Sequence, residues 1–157
     1  MDFEDRPNRI PWPPLIYLGA LLVGGGLQFV LPFRNLDAVL ALAPAWAGVA
    51  AMFLGLAVDL LAMITLRRNG TTILPHVGSK TLCTTGVFAV SRNPIYLGNT
   101  IGLIGLALAL RWSWLLLSVP GTISAVGWLA ISREGQHLSK RFGAAFLMYC
   151  ERVRRWL

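Results

Sequence analysis

Four apolar runs, each close to the length of a bilayer crossing, constrain this chain more than any other feature. They extend from Pro13 to Pro32, from about Ala38 to Leu66, from Ile95 to Leu110 and from Trp114 to Ile131. A hydrocarbon core of about 30 Å takes about 20 helical residues at 1.5 Å each. In lipid a helix satisfies its own backbone hydrogen bonds, so the runs are expected as helices. The rest of the composition agrees: 55% of the 157 residues are hydrophobic, 13% are charged, and the mean hydropathy is +0.62. Soluble domains carry about 25% charged residues. A single domain of this length could not bury so much apolar sequence, so the excess must face lipid. The sequence predicts an all-α, polytopic membrane helical bundle of about four transmembrane helices plus a C-terminal amphipathic helix, in one domain over 1–157.

Local signals refine the runs. Gly24, Gly25 and Gly26 are poor helix formers in water, but in lipid they permit close helix approach. The second run is long enough to span with tilt or with a bend near Pro44. Pro120 and Gly121 predict a kink in the fourth. Runs three and four are joined only through Arg111 to Trp114, which makes them a helical hairpin.

The formal net charge of +7 invites a nucleic-acid reading, which its distribution argues against. The Lys and Arg residues all flank apolar runs, the pattern of a membrane face rather than of a basic patch on a polar surface. With four spans, the N-terminal arm, the 67–94 segment and the C-terminal tail share one side. That side holds twelve of the fourteen basic residues, leaving Arg34 and Arg111 opposite. The positive-inside rule makes it cytoplasmic, with both termini and the active face there. Trp12, Trp112 and Trp114 sit near span ends as interfacial aromatics do. Met1 to Pro14 lacks a signal peptide's basic start and small-residue cleavage site, so the first run is expected to remain. Cys83 and Cys150 form no disulfide framework, and His76 and His137 lack metal-ligand spacing, so no metal is expected.

Two stretches depart from the apolar pattern. From Arg133 onward, Leu138, Phe142, Phe146, Tyr149, Val153 and Trp156 recur every three or four residues, the mark of an amphipathic helix, with Gly143 as a break or close contact. Arg67 to Pro94 is polar and rich in Gly, Thr and Pro. Its Ile73, Leu74, Leu82, Val87, Phe88 and Val90 predict an ordered, functional loop.

These stretches carry a resemblance. Gly86, Phe88 and the run Arg92-Asn93-Pro94-Ile95-Tyr96-Leu97-Gly98 are similar to the Gly-aromatic and Arg-(His or Asn)-Pro-x-Tyr-x-Gly pattern of the isoprenylcysteine carboxyl methyltransferase and phospholipid methyltransferase group. After the hairpin, Glu134, Leu138, Phe142-Gly143, Phe146, Tyr149, Val153 and Arg155-Trp156 match that group's second motif, in order. Gly70, Thr71, Thr72 and Pro75 also look family-like. The resemblance covers about Arg67 to Leu157, so that 1–66 supplies two N-terminal spans and 67–157 the cofactor-binding core. It implies an integral membrane methyltransferase that uses S-adenosyl-L-methionine on a lipophilic small-molecule or lipid-modified substrate, among membrane lipids, without nucleic acid or metal. It further implies cofactor contacts at Lys80, Thr81, Leu82, Cys83, Phe88, Asn93, Pro94, Ile95, Tyr96 and Glu134. Asn93 for the better-known His suggests a bacterial-type, inner-membrane enzyme, and Gly135 replaces the motif's second Glu.

The residues have readings of their own. Pro94 can open a helix where a missing N–H costs nothing. Arg92 and Asn93 then sit at a helix N-terminus, whose free N–H groups and dipole favour a carboxylate. Arg92 is expected to orient an anionic acceptor group, with Arg133 second, although Arg92 also fits an interfacial arginine. Glu134 suits the cofactor's amino group or ribose, or simply complements a helix dipole. Methyl transfer from a sulfonium needs positioning and a dry site more than acid–base chemistry. Carboxylate, thiol and amine acceptors all remain open. Two other classes stay in view: a sterol-reductase-like oxidoreductase using NADPH, and a non-catalytic scaffold. Asp59, an acid inside the second run, is functional or a bundle-interior hydrogen-bonded group, and no family motif matches it.

Overall fold

The computed structural model describes residues 10–70 and 81–157. Helix α1, Trp12–Val30, carries prolines in its first turn, where neither removes an intrahelical bond. A short α2, Arg34–Leu40, follows. Helix α3, Ala45–Arg68, is 24 residues long, and α4, Pro94–Leu110, is 17. Helix α5, Ser113–Val126, passes through a π-helical turn, Gly127–Ile131, into α6, Ser132–Phe142. Helix α7, Ala144–Arg152, ends the elements. Three helices are long and apolar enough to cross a membrane: α1, α3 and the rod from Ser113 to Phe142. Helix α4 is a shorter apolar one. The chain is an all-α membrane bundle, as its composition predicts.

Three details refine the sequence reading. The second run is not one bent span. It is interrupted after α2, and Pro44, extended at ψ 135°, starts α3 afresh because proline favours the first helical turn over the interior. The fourth helix runs through Pro120 without a break in its assignment, and a π turn follows at Gly127–Ile131. The C-terminal amphipathic segment is two helices, since α6 prolongs α5 and Gly143 breaks it at φ 51°.

Backbone-close packing sets the bundle. Helices α3 and α4 meet along glycines: a Cβ built on Gly48 would lie 2.6 Å from the Gly105 carbonyl oxygen, and one on Gly105 would lie 2.7 Å from both the Gly48 oxygen and the Met52 nitrogen. One turn-pair along, a Cβ on Gly55 would lie 2.8 Å from the Gly102 nitrogen. Helix α1 packs on α5 similarly, with Gly24 buried against Leu115, while Gly26 faces open space. Such approaches gain dispersion where lipid offers no hydrophobic drive between helices. The outer surface is apolar: Phe29 is 77% and Trp46 72% exposed.

Away from the α4 start, a polar clasp holds the hairpin. Asp37 of α2 accepts from the Ser113 hydroxyl and backbone N–H and from Gln28 Nε2, and Trp114 Nε1 donates to the Leu31 carbonyl. Asp37 thus caps α5 from another helix. The Ser113 hydroxyl above all holds its carboxyl below the usual carboxylate range.

Gly105→Ala pushes a methyl into facing backbone and is expected to cost about 1–3 kcal/mol, read as a lower thermal midpoint in detergent. Gly26→Ala meets nothing and should leave the midpoint unchanged or slightly raised. Equal effects of the two would contradict the seam.

Candidate active site

The start of α4 is fixed by the chain's own tail. The Arg92 N–H donates to the Arg154 carbonyl at 3.0 Å, and Asn93 Nδ2 donates to the Arg155 carbonyl at 2.9 Å. The Asn93 N–H donates to Ser91 Oγ at 3.2 Å. The backbone donors expected to be free at Arg92 and Asn93 are therefore engaged. Leu97 bonds to the Asn93 carbonyl, which leaves the Ile95 and Tyr96 amides as the helix-end donors. The tail is anchored in turn by Trp156, which packs with Trp12 against buried Tyr96, Val126, Ala130 and Ile131.

Behind this start opens a cavity of about 610 Å³, within the range of small-molecule sites. Thr81, Leu82, Cys83, Phe88, Arg92, Asn93, Pro94, Ile95, Tyr96 and Glu134 all line it. Lys80 lies outside the described residues. Arg133 is not brought there: it is exposed, with its guanidinium 6.0 Å from the centre of the Trp12 ring. One residue on, about 100° around the helix, Glu134 accepts from the Tyr96 hydroxyl at 3.2 Å. The π turn sits just before, and such turns re-aim the residues that follow them.

Several wall residues were not singled out from sequence. Tyr17, inside an apolar run, shares the Tyr96 carbonyl with the Thr100 hydroxyl; both donate to it, at 2.9 and 2.8 Å, and bind α1 to α4. Asn99 also lines the cavity, as do His137, which was weighed only for metal spacing, and Arg155 of the second motif. The hydrophobic stripe of α6 and α7 closes the far side, with Phe146, Tyr149 and Val153 buried together beside Leu82, Leu138 and Cys150. The Tyr149 hydroxyl donates to the Phe88 carbonyl at 2.6 Å and so pins the 3-10 turn Gly86–Ala89. Burial, foremost, pushes this hydroxyl's pKa up.

Arg92 reaches the cavity half-buried. One guanidinium nitrogen meets Cys150 Sγ, and Nε is buried with no hydrogen-bond partner among the described residues. A buried guanidinium donor left open beside a cavity suits an anionic ligand. No group of three or more metal-ligating side chains occurs among the described residues.

The family model described as phospholipid methyltransferase matches residues 44–145. No curated protein matches the chain. No solved structure matches it.

Tyr149→Phe is expected to cost about 1 kcal/mol through the lost Phe88 bond. Because the folded state raises this pKa above the unfolded value of about 10, the hydroxyl's contribution is intact below that pH and lost as pH rises through it. Thermal midpoints between about pH 9 and about pH 11 should fall further for the wild type than for Tyr149→Phe.

Proposed function

Because the chain belongs to the phospholipid methyltransferase family of membrane methyltransferases, we propose that its cavity binds S-adenosyl-L-methionine and methylates a lipophilic acceptor. One observation carries this reading: every described residue that the sequence resemblance assigns to the cofactor lines the same cavity. The residues also suit the molecule chemically. Its carboxylate fits the Ile95 and Tyr96 amides at the positive end of α4. Glu134, held by Tyr96, accepts from its amino group or ribose hydroxyls. Thr81, Leu82, Cys83 and Phe88 offer the loop side of the pocket.

When bound, the cofactor supplies a methyl carbon on a sulfonium, to which an acceptor lone pair forms a bond as the C–S bond breaks and its electrons return to sulfur. The protein's part is placement and exclusion of water. Arg92, with an unsatisfied Nε, orients an anionic group of donor or acceptor. Pro13, Pro14 and Tyr17 of α1 and Leu66 of α3 give the cavity a wall built from membrane-spanning helices. A lipid-soluble acceptor enters there sideways, while the polar cofactor arrives from the aqueous face. The excess of Lys and Arg on the pocket side favours a cytoplasmic face, and Asn93 in place of the better-known His favours an inner membrane of bacterial type. The acceptor atom, a carboxylate oxygen, thiol sulfur or amine nitrogen, follows from chemistry outside the cofactor subsite.

Calorimetry of the full chain in detergent should show S-adenosylhomocysteine binding and no NADPH binding. Glu134→Ala and Arg92→Ala should each weaken the former by about tenfold or more, equivalent to about 1.4 kcal/mol. Tight NADPH binding would support a reductase instead. Unchanged affinity in both variants would overturn the site.

A further inference from the structure

Helix α7 has apolar residues on two faces, and the cavity uses one of them. Phe146 and Tyr149 face inward and line the cavity, and Val153 is buried with them. On the other side Leu147 is 56% and Met148 55% exposed, one turn ahead of the exposed Glu151 and Arg152. The helix ends where Val153 turns extended, and Arg154, Arg155 and Leu157 prolong the exposed strip beyond it. Along this strip Arg152, Arg154 and Arg155 outnumber Glu151.

Backbone bonds fix the depth of the strip. The Arg154 carbonyl accepts from the Arg92 N–H at 3.0 Å, and the Arg155 carbonyl accepts from Nδ2 of Asn93, the residue that precedes α4, at 2.9 Å. Trp156 packs with Trp12, the first residue of α1. The tail therefore crosses the ends of two apolar helices, at the level where lipid headgroups meet water. Arginines beside exposed apolar side chains at that level form an interfacial surface: the apolar groups enter the headgroup region and the guanidinium groups meet lipid phosphates. Headgroups already occupy this depth, whereas a soluble partner would have to displace them.

The same strip is tied to the site. Its carbonyls hold Arg92 and Asn93, and the Tyr149 hydroxyl holds the Phe88 carbonyl. We infer that the outer face of α7 and the tail arginines dock on an anionic lipid surface, and that this docking raises the cavity's affinity for its cofactor. The lipid acts here as a regulator that stays in the bilayer, apart from the methyl acceptor. Only the second half of the inference rests on the methyltransferase reading. Lipid that holds Arg152 and Arg154 orders the carbonyls that order the start of α4, so lipid and cofactor share one ordering cost and each tightens the other.

The full chain in nanodiscs of phosphatidylcholine, alone or with about a third phosphatidylglycerol, tests this by titration with S-adenosylhomocysteine. Affinity should be about fivefold or more higher in the anionic discs. Salt at about 0.5 M should remove most of that gain. Replacing Arg152→Gln and Arg154→Gln together should cut it to about twofold or less, while Arg152→Lys with Arg154→Lys keeps most of it. Neither pair should change the affinity in phosphatidylcholine alone. Without cofactor, backbone hydrogen exchange over residues 144–157 should slow in the anionic discs. Equal affinity in the two discs overturns the regulation, and exchange indifferent to lipid charge overturns the docking. A gain that the glutamine pair retains overturns the role of these arginines. If that pair does not fold, a wild-type gain undiminished by salt overturns it instead. If S-adenosylhomocysteine binds in neither disc, the methyltransferase reading falls and hydrogen exchange alone decides the docking.

Discussion

The contact of α3 with α4, backbone against backbone, is the constraint on which the rest of this structure depends. Gly48 and Gly105, then Gly55 and Gly98, bring the two helices closer than a side chain at those positions would allow. In lipid the apolar side chains gain nothing by leaving their surroundings, so packing must come from such closeness. The seam fixes α4, and α4 carries at its start Asn93, Pro94, Ile95 and Tyr96, the centre of the cavity wall. It also sets beside Gly98 the carboxylate of Asp59, which a larger residue at 98 would displace.

On this frame the cavity is closed by a second, polar set of bonds. The tail returns from α7 and accepts from Arg92 and Asn93, while Tyr96 holds Glu134 and Tyr149 holds the turn at Phe88. Each bond joins segments far apart in sequence, so the site assembles only when the bundle and the tail are both in place. This arrangement suits a membrane methyltransferase: the hydrogen-bonding wall lies at the bundle's end, and the apolar wall is continuous with spans that lipid can reach.

Much of this was legible in the sequence because lipid imposes simple rules. Span length, the short link through Trp112 and the spacing of Phe142, Phe146 and Tyr149 each follow from helix geometry. The motif residues Thr81, Leu82, Cys83, Phe88, Asn93, Pro94, Ile95, Tyr96 and Glu134 all line one cavity. Tertiary context decided the rest. Pro44 reads equally as a bend or as a helix start, and the capping of α5 by Asp37 favours a separate α2. The π turn at Gly127 has no signature in residues that otherwise suit an α-helix. Arg133 and Glu134 are neighbours in sequence, yet a rotation of about 100° puts one over Trp12 and the other in the cavity. Tyr17 stands in an apolar run with no motif around it, and its role appears only when α4 lies beside it.

The most direct measurement is an experimental structure of the protein in lipid with S-adenosylhomocysteine bound. The account predicts ligand density in the cavity between the start of α4 and α6–α7, in contact with Glu134 and the Ile95 and Tyr96 amides. Density at another site, with this cavity empty, would contradict it.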